Sequence, residues 1–335
     1  MVNLDQVQDK IYDLLIVGAG PAGIEAALQA KKAGMNALLI DREEAGFIIA
    51  HTMSNKKFYH AYGQNVEAPK GLLDFPDRKQ GSELVRLWRL QADTVPYAPH
   101  TVFKTIEDAR GETSGKGGGL ASDTVYNFIT DKGAIQAPKL ILATGMFSKP
   151  CKLGVPGEEG NTSVAHEFDY NSFITDKKIL VIGGGNSAVE AALELSLDNE
   201  VTLLVRKPHV AETVTERNRV ELENEAGKGT IKVFYNSSVT EFNNQEATLK
   251  LEDKIEKKVF DKIYITIGFE KPSDWLASMS IALDQDGLPK LSDKLETSRS
   301  GIFVSGALTG NDSIIGSANQ SIDIIRYMAY TAKSA

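Results

Sequence analysis

The chain has 335 residues, 42% hydrophobic and 24% charged, the balance of a globular protein with a proper core and room for two domains of ordinary size. Its 37 basic and 45 acidic side chains leave a net charge of −8, which argues against nucleic acid as a general partner. No apolar run approaches the roughly 18 residues of a membrane span, and Cys151, the only cysteine, excludes an internal disulfide. The opening MVNLDQVQDK lacks the basic start and apolar stretch of a signal peptide, so a cytoplasmic setting is expected.

Residues 11–41, IYDLLIVGAGPAGIEAALQAKKAGMNALLID, read as strand, glycine turn, helix and second strand. KKFYHAYGQ, 56–64, is dense in aromatics, and Lys56, Lys57, Arg78, Lys79, Arg86 and Arg89 concentrate cations between 56 and 89. GETSGKGGGLAS, 111–122, has the composition of a flexible linker and interrupts an expected β-hairpin. KLILATGMFSKP, 139–150, is a strand ending in Thr144-Gly145, followed by LGVPGEE at 153–159. After VAHEFDYNSF, 164–173, a second strand–turn–helix–strand unit appears as KKILVIGGGNSAVEAALELSLDNEVTLLVR, 177–206. DKIYITIGFEKP, 261–272, is another strand ending in glycine, and LETSRSGIFVSGALTG, 295–310, closes the set.

The two units are copies. A shift of 165 places Gly18 on Gly183, Gly20 on Gly185, Glu25 on Glu190 and Ala26-Ala27-Leu28 on Ala191-Ala192-Leu193 without a gap. Each has the fingerprint of a βαβ dinucleotide cradle, in which glycines let a pyrophosphate approach the backbone at a helix N-terminus. One such turn is weak evidence; two with matched flanks are strong.

Their ends differ in charge. Asp41 closes the first unit, and a carboxylate there accepts hydrogen bonds from ribose hydroxyls. Arg206 stands at the same offset in the second, followed by Lys207; two cations suit a 2′-phosphate. The expectation is an unphosphorylated adenosine ribose in the first cradle and NADPH in the second, with NADH as the alternative should Arg206 and Lys207 be a solvated strand end.

In combination these motifs resemble the low-molecular-weight thioredoxin reductase-like flavoproteins, over nearly the whole chain. The resemblance implies an α/β fold of two Rossmann-like, three-layer ββα dinucleotide-binding domains. An FAD domain of residues 1–154 plus 273–335 would be split around an inserted NAD(P)H domain of residues 155–272. By the same likeness Gly18, Gly20, Pro21, Gly23, Asp41, Thr144, Gly145, Gly306 and Ala307 would line FAD. Gly183, Gly185, Asn186, Ser187, Glu190, Arg206 and Lys207 would line the nicotinamide nucleotide. The family is usually dimeric, so a homodimer is expected, and the joints near Lys152–Pro156 and Gly268–Pro272 are hinge candidates.

Two departures from the family matter. Where thioredoxin reductases carry Cys-x-x-Cys, this chain has His166-Glu167-Phe168-Asp169, which excludes thioredoxin reduction by the usual route. The resemblance is therefore to the branch without that pair: NAD(P)H-dependent ferredoxin or flavodoxin reductases, flavodoxin–quinone reductases and bacillithiol-disulfide reductase-like proteins. Where the family has Gly-Asp against the ribityl chain, this chain has Gly306-Ala307. Loss of a charge-assisted hydrogen bond of about 1.5–3 kcal/mol predicts FAD binding roughly ten- to a hundredfold weaker, unless Thr309, Asn311 or Asp312 compensates.

The expected function is passage of electrons from NADPH through FAD to a flavodoxin, ferredoxin or quinone-type acceptor. The cationic run at 56–89 would steer an acidic carrier, with ordinary surface charge as the alternative for each residue. His166 is a candidate proton donor or a capped histidine at a domain junction. Phe168 would cover a flavin face or pack in the hinge, and Tyr59, His60 and Tyr62 would border the isoalloxazine or form an ordinary aromatic cluster. A second enzymatic expectation is a small-disulfide reductase using Cys151. A third is a flavin- or nucleotide-binding sensor without efficient turnover.

Overall fold

The computed structural model describes residues 10–60, 68–108, 124–146, 149–252, 254–311 and 313–334. Tyr62, the 111–122 run and Asp312 lie outside them. The chain divides into two compact units, Met1–Met146 with Lys271–Ala335, and Phe147–Glu270. The units change over after Met146 and after Glu270, eight and two residues before the 154/155 and 272/273 boundaries expected from sequence.

The first unit opens with β1 (Leu14–Val17), α1 (Pro21–Lys32), β2 (Ala37–Ile40), α2 (Phe47–Thr52), β3 (Lys57–Phe58), β4 (Lys79–Gln80), α3 (Gly81–Ala92) and β5 (Tyr97–Ala98). It continues with β6 (Phe103–Asp108), β7 (Tyr126–Thr130), β8 (Gly133–Ala137) and β9 (Leu140–Leu142). The inserted unit holds β10 (Val164–Ala165), β11 (Lys178–Ile182), α4 (Asn186–Leu195), β12 (Glu200–Leu204), α5 (Glu216–Lys228) and β13 (Ile231–Phe234). Then follow β14 (Ser237–Asn243), β15 (Glu246–Leu251), β16 (Lys254–Val259) and β17 (Lys262–Ile265). The chain returns to the first unit as α6 (Ser273–Ser278), β18 (Ile302–Val304) and α7 (Ile314–Ser334).

Each unit has three layers, and alternation along its parallel strands explains them. In the first, the sheet order is β18-β9-β1-β2-β5. Leu14, Ile16 and Leu39 face a core shared with Ile24, Trp88 and Met328 of the helices. Leu15, Val17, Leu38 and Ile40 face the opposite core with Phe103, Phe128 and Ile135 of the antiparallel β6-β7-β8 layer. Side chains of a strand alternate between faces, so an unbroken apolar run such as LLIV serves two layers at once. The inserted unit repeats the plan with order β10-β17-β11-β12-β13. Ile179 and Val181 pack on α4, while Leu180 and Ile182 pack on the β14-β15-β16 layer.

The C-terminal helix is bolted to the first by hydroxyls. The fully buried Ser321 donates to the Ala22 carbonyl of α1 at 2.8 Å, and its Oγ lies 2.8 Å from that of the buried Ser305. No helix among the described residues is long and apolar enough to cross a membrane.

Candidate functional site

In the first glycine turn the three glycines serve separate purposes. A Cβ on Gly18, at φ +108°, would lie 2.3 Å from the Ala143 carbonyl oxygen, and one on Gly23 would lie 1.7 Å from the Gly18 carbonyl oxygen. Those two are demanded by the protein itself: the strand must turn against β9's end, and α1 must pack against the turn. Gly20 is different. Its φ of −82° and ψ of −173° suit any residue, and a Cβ there would meet nothing within 4 Å. Neither packing nor conformation requires glycine at position 20. What its bareness provides is open approach to the N-terminus of α1, where Pro21 starts the helix and the first N–H groups have no intrahelical acceptor. In a βαβ dinucleotide cradle a space of this kind admits a pyrophosphate.

The second turn repeats this logic. Gly183, at φ +152°, would place a Cβ 2.3 Å from the Thr266 carbonyl oxygen, whereas Gly185 has open space around it and an ordinary extended backbone. Ala188 takes the place of the third glycine and is fully buried. Asn186 and Ser187 begin α4, Ser187 exposed.

Around the first turn, Asp41 closes β2 as expected. Its Oδ2 accepts from the Ala19 N–H at 2.5 Å and its Oδ1 from the Glu43 N–H at 2.8 Å, which fixes the carboxylate against the glycine loop. Burial pushes its carboxyl up, against the opposing pull of those two N–H groups. A carboxylate has about four acceptor positions, so the two backbone donors leave capacity for ribose hydroxyls. Thr144 is exposed and Gly145 sits at φ +67° just after β9. Gly306, at φ +81°, donates its N–H to Gln320 Oε1 at 2.9 Å. Ala307 is buried, 5% exposed, in a single 3-10 turn. The Thr309 hydroxyl is engaged with the Gly306 carbonyl at 2.9 Å and with Gln320, and Asn311 Oδ1 accepts from the Ser313 N–H at 3.1 Å.

Around the second turn, Arg206 and Lys207 are both exposed, and neither makes an ion pair among the described residues. Glu190 has local partners: Asn218 Nδ2 donates to it at 3.1 Å, and the Tyr170 hydroxyl bonds to it as well. The same Asn218 amide donates to Asn186 Oδ1 at 3.0 Å, so one side chain of α5 ties the first residue of α4 to Glu190. Burial, reinforced by the charges of Glu190 and Glu194, pushes the Tyr170 phenol up and keeps it a donor.

The tetrad in the dithiol slot is taken up by the architecture. His166 Nε2 lies 2.8 Å from Glu158 Oε1. Phe168 is 8% exposed and packs edge-on to Tyr170 and Tyr264 at 4.6 and 5.3 Å between centroids, inside the core over α4. Asp169 Oδ1 caps the next turn by accepting from the Asn171 N–H at 2.8 Å. Burial pushes the Glu167 carboxyl up. Cys151 is half-buried, and its N–H donates to the Gly268 carbonyl at 2.9 Å. Tyr59 is 39% exposed, while the His60 ring stacks on Phe75 at 5.3 Å and bonds its carbonyl at 2.6 Å. Among the described residues no three His, Cys, Asp or Glu side chains gather as a metal site.

One buried acid escaped the sequence reading. Glu25, fully buried on α1, accepts from the Gln29 amide and from the Leu72 and Leu73 N–H groups, anchoring 71–73 over the helix. Its counterpart in the repeat, Glu190, has quite different partners. The signal was an acid among AAL residues on an apolar helix face, where a carboxylate survives only if satisfied.

The family model for "Pyridine nucleotide-disulphide oxidoreductase" matches residues 12–324. The chain is 26% identical over 303 residues to "Bacilliredoxin reductase Bdr" of Bacillus subtilis (strain 168), covering 89% of this chain and 90% of the relative. It is 26% identical over 327 residues to the thioredoxin reductase of the same organism, covering 89% and 87%. In fold it is similar to the bacillithiol disulfide reductase Bdr (YpdA) from Bacillus cereus, with TM-score 0.80, 22% identity and coverage of 96% and 100%. It is also similar to the thioredoxin reductase of T. acidophilum, with TM-score 0.76, 21% identity and coverage of 97% and 100%. The chain belongs to the pyridine nucleotide-disulphide oxidoreductases, as a thioredoxin reductase-like enzyme with one cysteine in its sequence.

Proposed function

We propose that this enzyme carries electrons from NADPH through FAD to an acceptor that is not part of its own chain: a flavodoxin or ferredoxin, or a quinone. The observation that carries this reading is the fate of the dithiol slot. His166, Phe168 and Asp169 are engaged in a hydrogen bond, a core and a turn cap, and Cys151 is the only thiol. The electrons therefore leave by another route than an internal disulfide.

When bound, FAD supplies the two-electron to one-electron chemistry that links a hydride donor to such acceptors. The chain's own residues bind and orient. Gly18, Gly20, Pro21 and Gly23 form the first cradle, with Thr144, Gly145, Gly306 and Ala307 beside it and Asp41 accepting from the ribose. Gly183, Gly185, Asn186 and Ser187 form the second, with Asn218 and Glu190 holding the start of α4 and with Arg206 and Lys207 facing a 2′-phosphate. Each NADPH delivers two electrons, so one turnover reduces two one-electron carriers and leaves NADP⁺ and a proton. A homodimer in the cytoplasm, with the split unit taking FAD and the inserted unit NADPH, belongs to the same proposal.

A second reading, reduction of a small disulfide with Cys151 as the thiol, is favoured by the names of the bacilliredoxin and bacillithiol disulfide reductases it resembles. Anaerobic titration with NADPH and then NADH, followed by flavodoxin, ferredoxin, a quinone and a bacilliredoxin disulfide, tests both. Bleaching by NADPH and reoxidation by a carrier or quinone is the expected result. Turnover confined to the disulfide and abolished by Cys151→Ser would move the assignment to the second reading. Protein that takes up no flavin would defeat both.

A further inference from the structure

The antiparallel ribbon of β3 and β4 gathers cations on an acidic chain. Lys56 and Lys57 lie on one arm and Arg78 and Lys79 on the other, with Lys57 opposite Gln80 and Phe58 opposite Lys79. Residues 56–89 hold seven basic and four acidic residues, a charge of +3, which leaves −11 for the remainder of a chain of −8. Asp77 pairs with Arg78 at 3.5 Å and Glu83 with Lys79 at 2.9 Å, and Lys57 is exposed. Arg78 stands at φ +59°, in the left-handed region, with its side chain 72% exposed. Between the cations lie aromatic rings: Lys56 Nζ is 5.4 Å from the Phe58 centroid and Lys57 Nζ is 5.9 Å from that of the exposed Tyr59.

The ribbon is held in place and tied to the first cradle. The Gly81 N–H donates to the Lys56 carbonyl at 2.9 Å, and the His60 N–H to Asp77 Oδ1 at 2.8 Å. Gly46, at the head of α2, donates to the Ala19 carbonyl of the glycine turn at 3.0 Å, and Lys56 donates to the Met53 carbonyl at the foot of the same helix at 3.1 Å. Six helical residues span about 9 Å, so the ribbon sits one short helix away from the glycine loop.

We infer that this ribbon is the docking surface for an acidic one-electron carrier protein, with Tyr59 and Phe58 as the apolar centre and the cations as its rim. The inference rests on the reading given under Proposed function and adds where the acceptor sits. Complementary charge raises encounter rates and selects partners, by about tenfold to a thousandfold at low salt, and is screened as salt rises. A cationic patch on a net-acidic protein also orients a negatively charged carrier toward one face while the remainder repels it.

The test is reduction of an acidic flavodoxin by the holoenzyme with NADPH, beside a small neutral quinone, at low and high salt. Lys57→Glu with Arg78→Glu is expected to lower kcat/KM for flavodoxin at least about tenfold at low salt. Flavin content and quinone turnover should stay unchanged, and wild type and variant should converge at high salt. Lys57→Glu alone repeats the test should the double variant fold poorly. Lys250→Glu, exposed on the other unit, controls for net charge and should have little effect. Flavodoxin turnover insensitive to the reversal, or equal loss with Lys250→Glu, overturns the docking surface. Wild type that reduces quinone but not flavodoxin overturns the surface alone, whereas flavin that NADPH does not bleach overturns the underlying reading too.

Discussion

His166 Nε2 meets Glu158 Oε1 at 2.8 Å, and this contact closes a cage around a carboxylate that is only 4% exposed. The Leu153 N–H donates to the same oxygen at 2.9 Å, and the Gly154 and Val155 N–H groups donate to the other at 2.7 and 3.3 Å. Burial by itself would raise the Glu158 carboxyl, yet His166 and the three backbone donors outweigh it and hold it below its ordinary value. The histidine standing in the dithiol slot is thereby a strut for the turn at 153–158.

A depressed carboxyl fixes the sign of a pH effect. Its folded-state value lies below the unfolded one, so the stability it contributes is full above about pH 4.5 and fades as pH falls through the folded value. Glu158→Gln leaves buried N–H donors short of an acceptor, at a cost of about 1–3 kcal/mol, on the order of 5–10 °C in thermal midpoint for a unit of this size. The gap between wild type and variant should be largest near neutrality and shrink on acidification. A gap that is constant with pH, measured by thermal unfolding across that range, contradicts the cage.

The glycine turns make a sharper separation possible. Gly18→Ala and Gly23→Ala force a Cβ to 2.3 and 1.7 Å from backbone oxygens, so both should fold poorly whether or not flavin is present. Gly20→Val adds its side chain to open space and should leave the flavin-free thermal midpoint nearly unchanged. It should nonetheless weaken FAD binding at least about tenfold, the equivalent of 1.4 kcal/mol. Flavin fluorescence titration beside thermal unfolding checks both. FAD affinity untouched by Gly20→Val removes position 20 from the cradle.

The expectation for the nucleotide rests on two exposed cations. Arg206→Ala and Lys207→Ala remove no ion pair among the described residues, so stability should hold. If each makes a charge-assisted bond to a 2′-phosphate, the NADPH-over-NADH preference in kcat/KM should fall about tenfold or more per residue, through KM for NADPH and with NADH kinetics unmoved. Equal losses for both nucleotides would place the pair elsewhere.

How far sequence carried the description depends on whether the cause was local. The two strand–turn–helix units were readable because each turn joins elements adjacent in sequence, although Gly18 and Gly183 are held to glycine by carbonyls of the distant Ala143 and Thr266. The three layers are what the family resemblance implies, and the unbroken apolar strands fit them. The interrupted hairpin is there too, with β6 and β7 paired in antiparallel fashion on either side of the linker-like run. Partners set by the tertiary fold were not readable. Glu25 and Glu190 align in the repeat, yet one anchors the 71–73 backbone and the other is held by Asn218 and Tyr170. For His166 the sequence leaves a proton donor and a capped histidine both open, because nothing in VAHEFDYNSF names Glu158, eight residues upstream in another turn, as its partner.

Ala307 offers a test in which flavin binding and stability should move in opposite directions. The side chain is 5% exposed and lies beside Gly306, whose N–H is taken by Gln320, and Thr309, whose hydroxyl is taken by Gly306 and Gln320. The polar groups that sequence offered as substitutes for a carboxylate are thus already occupied at Thr309 and partly at Asn311. Ala307→Asp should therefore tighten FAD binding about ten- to a hundredfold, the worth of one charge-assisted hydrogen bond. The same carboxylate, buried without a partner when flavin is stripped, should lower the thermal midpoint of the flavin-free protein. Adding FAD should restore that loss and raise the variant's midpoint by more than it raises that of wild type. A variant that loses stability and gains nothing in flavin affinity would mean that position 307 does not face the flavin's hydroxyl chain, and the assignment of Gly306 and Ala307 to that site would fall with it.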